Sequence, residues 1–176
     1  MVQNRPSKIS IFGASDNKSN NKKLAAILTL TKLCEKTPTV AYNKLITGNR
    51  YLNIFDCLND QRDNVRISTV QFFKAINKLI MQRDPHERKN FFEIIYVRTV
   101  QVLDQADGSK HNYFIHGALM MLSLILSESD DLMREKHNEI FTMIVKMSKK
   151  KNSMTLSQCI ALYPIIVKCS QQITHK

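Results

Sequence analysis

The stretch LNDQRDNVRISTVQFFKAI, residues 58–76, combines a polar turn with the beginning of a strongly apolar helix. Apolar side chains recur after Val65 at intervals of three and four residues, which is the period of one helix face. Asp60 lies in the turn, where its carboxylate is placed to cap the N-terminus of that helix. Arg66 follows at the start of the helix and is expected to reach a neighbouring carboxylate. The stretch therefore predicts a helix over residues 65–81 that is entered through a capped turn.

The same helical period recurs along most of the 176 residues. Only 4 glycines and 4 prolines occur, which is too little turn chemistry for a many-stranded sheet. Mixed helices alternate with apolar ones at a period of about 45 residues, as in α-solenoids built from helical hairpins. We therefore predict an all-α solenoid of about four hairpins, the first of them incomplete. The hairpins are expected near 16–36, 38–82, 86–128 and 130–172, and residues 1–15 are expected to be poorly ordered or a partial helix.

Three prolines allow specific predictions about where these helices begin or are interrupted. Pro38 follows Thr37 and Pro85 follows Asp84, so each proline is expected at the first position of a helix behind a capping side chain. Pro164 lies inside the apolar segment 153–173, where a proline removes a backbone hydrogen bond. We expect it to kink or break the last helix.

The turn at Asp60 also matches the HEAT-repeat pattern, in which four residues separate an aspartate from a Val-Arg pair. Asp60, Val65 and Arg66 occupy these positions, and small and apolar residues follow at the expected spacing. An earlier segment, residues 16–33, repeats the scheme from Asp16 onward. Two matches in phase predict that the hairpins are HEAT-like.

Within this array the sequence resembles one kinase family, the TOR (target of rapamycin) Ser/Thr kinases. The segment FGASDNKSNNKKLAAILTLTKL (12–33) is similar to a TOR segment with a basic pair before an Ala-Ala helix, and the turn at Asp60 is similar to the next TOR hairpin. The most specific similarity is the run Ile115-His116-Gly117-Ala118-Leu119, which in TOR kinases opens a long apolar helix. The resemblance spans roughly residues 12–140 and is lost in the loop before His111 and in the last hairpin.

The resemblance implies that the chain is a slice of the N-terminal HEAT solenoid of a TOR-type kinase. TOR kinases act in nutrient and growth signalling and carry their catalytic domain near the far C-terminus. The expected role is a scaffold for protein–protein interaction and complex assembly. Its expected partners are TOR-complex-type subunits or the remainder of the same kinase. A stand-alone HEAT or armadillo-type adaptor or transport protein is the alternative, followed by an RNA-binding helical repeat.

The residues themselves give little sign of catalysis or metal binding. The glycines at 13, 48, 108 and 117 form no phosphate-binding loop, and neither an HRD-like nor a DFG-like run occurs. His111 and His116 are five residues apart and point to different faces of a helix, whereas a zinc pair prefers a spacing of three or four. We therefore expect no catalytic, cofactor-binding or metal site, and a packing role for His116 and Gly117.

The net charge of +11 is compatible with nucleic acid, an acidic membrane surface or an acidic protein partner. The phenylalanines fall on apolar helix faces and are expected in the core rather than stacked on bases, which disfavours nucleic acid. No apolar run is long enough to span a bilayer, and no signal peptide is visible. Four scattered cysteines indicate buried, reduced thiols. These features predict a cytoplasmic protein, associated with endomembranes through a complex, whose open solenoid ends favour self-association.

Overall fold

The computed structural model describes residues 17–82, 85–105, 112–128, 136–150 and 152–174, with the side chains of the two terminal helices described only for residues 21–36 and 153–168. Within these ranges the chain is helical and contains no β-strand. The α-helices are α1 (Asn17–Lys36), α2 (Pro38–Ala41), α3 (Asp63–Met81), α4 (Pro85–Gln105), α5 (Asn112–Glu128), α6 (His137–Ser148) and α7 (Ser153–Thr174). A π-helical turn (Tyr42–Ile46) and a 3-10 helix (Arg50–Asn59) connect α2 to α3.

The helices are arranged in two layers. In the first layer α1 packs on α3, α3 packs on α5, and α5 packs on α7. In the second, the 3-10 helix and α4 each lie against α3 and α5, and α6 lies against α7. Neighbouring helices thus cover one another's apolar faces, which is the way a helical-repeat array builds a continuous core. The all-α prediction is confirmed, and the layered order is consistent with an α-solenoid.

Local sequence sets the helix boundaries around residues 36–50. Pro38 begins α2, as its fixed φ favours. Thr37 was predicted to cap that helix, but its hydroxyl donates a hydrogen bond to the Leu33 carbonyl oxygen at 3.0 Å and makes no cap bond to α2. Asn49 then adopts a left-handed conformation (φ 53°), and the chain turns there into the 3-10 helix.

The two other prolines behave differently from each other. Pro85 begins α4 as predicted, although Asp84, its expected cap, lies outside the described residues. Pro164 was predicted to kink or break the last helix, but α7 continues through it. Pro164 and Ile160 are both exposed, so the Ile160 carbonyl that loses its helical partner can be hydrated instead. The helix is therefore not broken at Pro164.

Aromatic side chains form the centre of the core. Tyr51 and Phe55 of the 3-10 helix both contact Phe73 of α3 in edge-to-face geometry, with ring centroids 6.1 and 6.0 Å apart. Tyr51 also contacts Phe91 of α4 at 5.6 Å. The buried aromatic rings therefore join both layers. Of the five phenylalanines predicted to be core residues, Phe72, Phe73, Phe91 and Phe92 are buried, and Phe114 is partly buried against the same core.

No helix in the described ranges is both long enough and apolar enough to cross a membrane.

Candidate functional site

The turn between the 3-10 helix and α3 is organised by the Asp60 carboxylate. One of its oxygens accepts hydrogen bonds from the backbone N–H and the Nε–H of Arg62, both at 3.1 Å, and the other lies 3.4 Å from the Lys23 ammonium of α1. Burial alone would raise the pKa of Asp60, but the hydrogen bonds from Arg62 and the charges of Arg62 and Lys23 outweigh it and hold that pKa below its usual value. Asp60 therefore ties the turn to α1.

This geometry corrects the predicted capping role of Asp60. The residue that precedes α3 is Arg62, in an extended conformation, and no side chain caps that helix. Asp60 instead binds the N–H two residues ahead, as aspartate commonly does in a turn. The carboxylate thus stabilises the turn itself rather than the N-terminus of α3.

Arg66 is the most interconnected polar residue of the described chain. It is fully buried. Its Nη1 donates to the backbone carbonyl of Asp60, and its Nη2 donates to the carboxylate of Asp63. Its Nε donates to Nδ1 of His116 on α5 at 3.1 Å. A buried cation is tolerated only when its donors find partners, and these three groups supply them.

Two further residues enclose the guanidinium of Arg66. Its Cζ lies 5.2 Å from the ring centroid of Tyr113 at the start of α5, within range of a cation–π interaction. Nη2 also lies 3.5 Å from the sulfur of Met154 on α7. One side chain of α3 therefore contacts the preceding turn, α5 and α7.

His116 serves this arrangement as a neutral acceptor. Burial lowers its pKa below the usual value, the positive charge of Arg66 lowers it further, and Asp63 acts in the opposite direction. Because Nδ1 accepts the Arg66 hydrogen bond, the neutral ring carries its proton on Nε2. The Arg66 hydrogen bond thus selects one tautomer of the neutral His116 ring.

Gly117 lies where α5 meets the 3-10 helix most closely. A Cβ at this position would lie 2.4 Å from the carbonyl oxygen and 2.8 Å from the Cβ of Leu58, which is fully buried. Backbone atoms cannot move aside as a flexible side chain can, so only glycine fits without a shift of one helix. Together with Arg66 and His116, Gly117 forms what we call the α3–α5 joint.

The other residues of the two motifs surround the joint as core. Val65, Ile115, Ala118 and Leu119 are all essentially inaccessible to solvent. Asp16, the start of the earlier motif, lies outside the described residues, as does His111. Sequence reasoning missed Tyr113, Met154 and Leu58 as members of the site. The 50 residues between Arg66 and His116, and the 88 between Arg66 and Met154, explain why no local signal points to these pairs.

Across the described residues, no three His, Cys, Asp or Glu side chains lie together as metal ligands would. Cys34, Cys57 and Cys159 are free and buried, as predicted, and burial raises the pKa of each thiol to about 11. Neutral, buried thiols are poor nucleophiles.

An exposed apolar stripe runs along α7 and gives the molecule a candidate interaction surface. Leu156, Ile160 and Val167 are 41%, 58% and 53% exposed and recur at the spacing of one helix face, with the half-buried Tyr163 between them. The buried side of α7 is formed by Thr155, Cys159, Leu162 and Ile166. Each residue of the stripe thus follows a buried one, and α7 has two apolar faces of which one is covered within the described chain.

Comparison with known proteins finds similarity to two serine/threonine-protein kinases. The chain is 20% identical over 144 residues to serine/threonine-protein kinase tor1 of Schizosaccharomyces pombe, which covers 82% of this chain and 6% of that protein. It is 23% identical over 170 residues to serine/threonine-protein kinase TOR2 of Saccharomyces cerevisiae, covering 92% of this chain and 6% of that protein. The chain is distantly similar to TOR kinases. It corresponds to a small helical part of these relatives. No protein-family model and no solved structure matches it.

Proposed function

We propose that the chain is a non-catalytic, HEAT-like scaffold segment of a TOR-type serine/threonine kinase. The observation that carries this proposal is the α3–α5 joint. Arg66, His116 and Gly117 belong to the two motifs through which the sequence resembles TOR kinases, and all three contribute to helix packing. A motif devoted to packing suits a protein whose function is to hold helices in a fixed array and present their surfaces to partners.

Two further observations support the scaffold reading. The distant similarity to tor1 and TOR2 runs along most of this chain but covers only 6% of each relative, as expected for one segment of a much larger protein. The apolar stripe of α7 offers a packing surface for a further helix pair, either from the same polypeptide or from a partner subunit. In this reading the segment supplies shape and contact surface, and phosphoryl transfer takes place elsewhere in the polypeptide.

The size of the natural protein tests the proposal. An antibody against the purified 176-residue chain is used on a denaturing blot of the source cells. The expected band has a mass many times the 20.3 kDa of this chain. The precipitated protein is expected to phosphorylate a Ser/Thr peptide, and the purified chain is not. A band near 20.3 kDa without kinase activity would favour the stand-alone adaptor and contradict the proposal.

A further inference from the structure

A groove with a volume of about 470 Å³ lies between α1 and α3. This volume lies in the range of protein sites that enclose small ligands or single anchoring side chains. The buried residues Cys34, Ala75 and Leu79 contribute apolar surface to its floor. The exposed side chains of Lys74 and Lys78, one helical turn apart on α3, line its rim. The α1–α3 groove therefore combines an apolar floor with a cationic edge.

The charge at this edge is predominantly positive. Glu35 lines the groove, but its carboxylate accepts a hydrogen bond from the Lys32 ammonium at 2.7 Å. That hydrogen bond and the charge of Lys32, followed by the charges of Lys36 and Lys78, lower the pKa of Glu35. Glu35 is thus surrounded by three lysines, which leave positive charge in excess on this side of the groove.

Lys74 has an exchangeable partner. Its ammonium lies 3.3 Å from a carboxylate oxygen of Glu128 at the end of α5, and the lysine side chain is about half exposed. The Glu128 side chain is 22% exposed, and its other carboxylate oxygen accepts a hydrogen bond from Asn77 Nδ2 at 3.3 Å. Lys74 can therefore exchange this contact for an incoming carboxylate while Glu128 keeps a second partner.

The lining of the groove argues for a peptide rather than a nucleic acid. Proteins that bind single-stranded nucleic acids combine positive charge with aromatic side chains on which bases stack. The residues that line this groove include no aromatic side chain. An apolar floor beside lysines instead complements an aliphatic side chain flanked by carboxylates.

We propose that the α1–α3 groove binds an acidic peptide segment of a partner protein, with an aliphatic side chain on the Cys34–Ala75–Leu79 floor and carboxylates at Lys74 and Lys78. This inference rests on the proposed scaffold function and names the partner chemistry of one of its surfaces. The size of the natural protein has no bearing on the groove, so the two proposals can fail separately.

Fluorescence anisotropy with the full 176-residue chain tests the groove. The probe is a short fluorescein-labelled Glu-rich peptide that carries a pair of leucines. Two matched probes replace every Glu by Gln or both leucines by Ser. The double variant Lys74→Gln/Lys78→Gln is compared with Lys146→Gln/Lys149→Gln, which removes the same charge from exposed positions at the end of α6. Circular dichroism checks that both variants remain helical.

We expect the Glu/Leu probe to bind and the groove variant to weaken binding by about tenfold or more. The α6 variant should change the affinity by about twofold or less, because neither lysine lines the groove and salt weakens the attraction between exposed charges that are not in contact. Both matched probes should bind at least about tenfold more weakly than the parent. The proposal is overturned if the parent probe does not bind, if both variants weaken it equally, or if loss of the leucines has no effect. It is also overturned if a single-stranded oligonucleotide competes at the groove as effectively as the peptide.

Discussion

The α3–α5 joint is buried and closely packed, whereas the outer face of α7 exposes apolar side chains to solvent. At the joint, each guanidinium nitrogen of Arg66 has a partner, and Gly117 lies against the backbone of the 3-10 helix. On α7, aliphatic side chains of the same size as core residues face outward, and Ile160 is more than half exposed. The difference is between a close contact of α5 with α3 and the 3-10 helix, and an apolar face of α7 that the described chain leaves uncovered.

The largest expected effect comes from removing the buried cation of the joint. Arg66→Met keeps most of the side-chain volume but leaves the Asp60 carbonyl and His116 Nδ1 without their donor. We expect the free energy of unfolding to fall by about 2–4 kcal/mol, the cost of unsatisfied buried polar groups. Urea denaturation followed by circular dichroism measures it. The exposed Arg50→Met is the matched control and should change stability by less than about 0.5 kcal/mol. If both substitutions lowered the free energy of unfolding equally, the buried Arg66 would contribute no more to stability than an exposed arginine does.

A smaller effect on the free energy of unfolding is expected when the pH is lowered. The folded-state pKa of His116 is lowered, so the unfolded chain binds more protons at mildly acidic pH, and stability must rise with pH in that range. The stability that depends on a neutral His116 is fully present above about pH 6.5. It is lost as the pH falls from there toward the lower pKa of folded His116. Protonation would also place a second positive charge beside Arg66.

Comparison with His116→Gln isolates this contribution. The amide oxygen of glutamine can still accept the Arg66 hydrogen bond, but it does not titrate. The free energy of unfolding, measured at several pH values between about 7 and 5, should decline more steeply for the unsubstituted chain than for the variant. Parallel pH profiles would contradict a neutral His116 at the joint.

The smallest effect on stability is expected at α7. The double variant Ile160→Lys/Val167→Lys replaces two exposed apolar side chains. The free energy of unfolding should therefore change by less than about 0.5 kcal/mol per site. Self-association, measured by light scattering at increasing concentration, should decrease clearly because the apolar stripe is interrupted. The control Gln101→Lys/Thr142→Lys adds the same charge at exposed positions of α4 and α6. A strictly monomeric unsubstituted chain would contradict a role of the α7 stripe in self-association.

The sequence allowed the helices to be predicted more fully than the joint. The apolar period after Val65 predicted helix 65–81, and α3 spans Asp63–Met81. In contrast, nothing in the sequence distinguished the winding of segment 39–59, which contains a π-helical turn, a left-handed Asn49 and a 3-10 helix. Local periodicity reports which side of a segment is apolar. It does not report the tighter winding that tertiary packing imposes.

The packing role of the site residues could be predicted from the sequence, but the residues that they contact could not. The glycine in the motif run suggested a close approach, and the arginine suggested a carboxylate partner. The identity of Leu58 as the neighbour of Gly117, and of His116 and Met154 as neighbours of Arg66, depends on how α3, α5 and α7 pack. The α1–α3 groove depends on the same packing, because its lining comes from segments about 40 residues apart.

Substitution of Gly117 tests the central claim most directly, because helix propensity and packing predict opposite signs. Alanine favours a helix over glycine by about 1 kcal/mol. At Gly117, however, the added Cβ would meet the Leu58 carbonyl oxygen. We predict that Gly117→Ala lowers the free energy of unfolding by about 1–3 kcal/mol. Gly48→Ala, whose Cβ would meet only Arg50 side-chain atoms at 3.7 Å, should leave it nearly unchanged. If Gly117→Ala is neutral or stabilising in urea denaturation, the close approach of α5 to the 3-10 helix, and with it the α3–α5 joint, is contradicted.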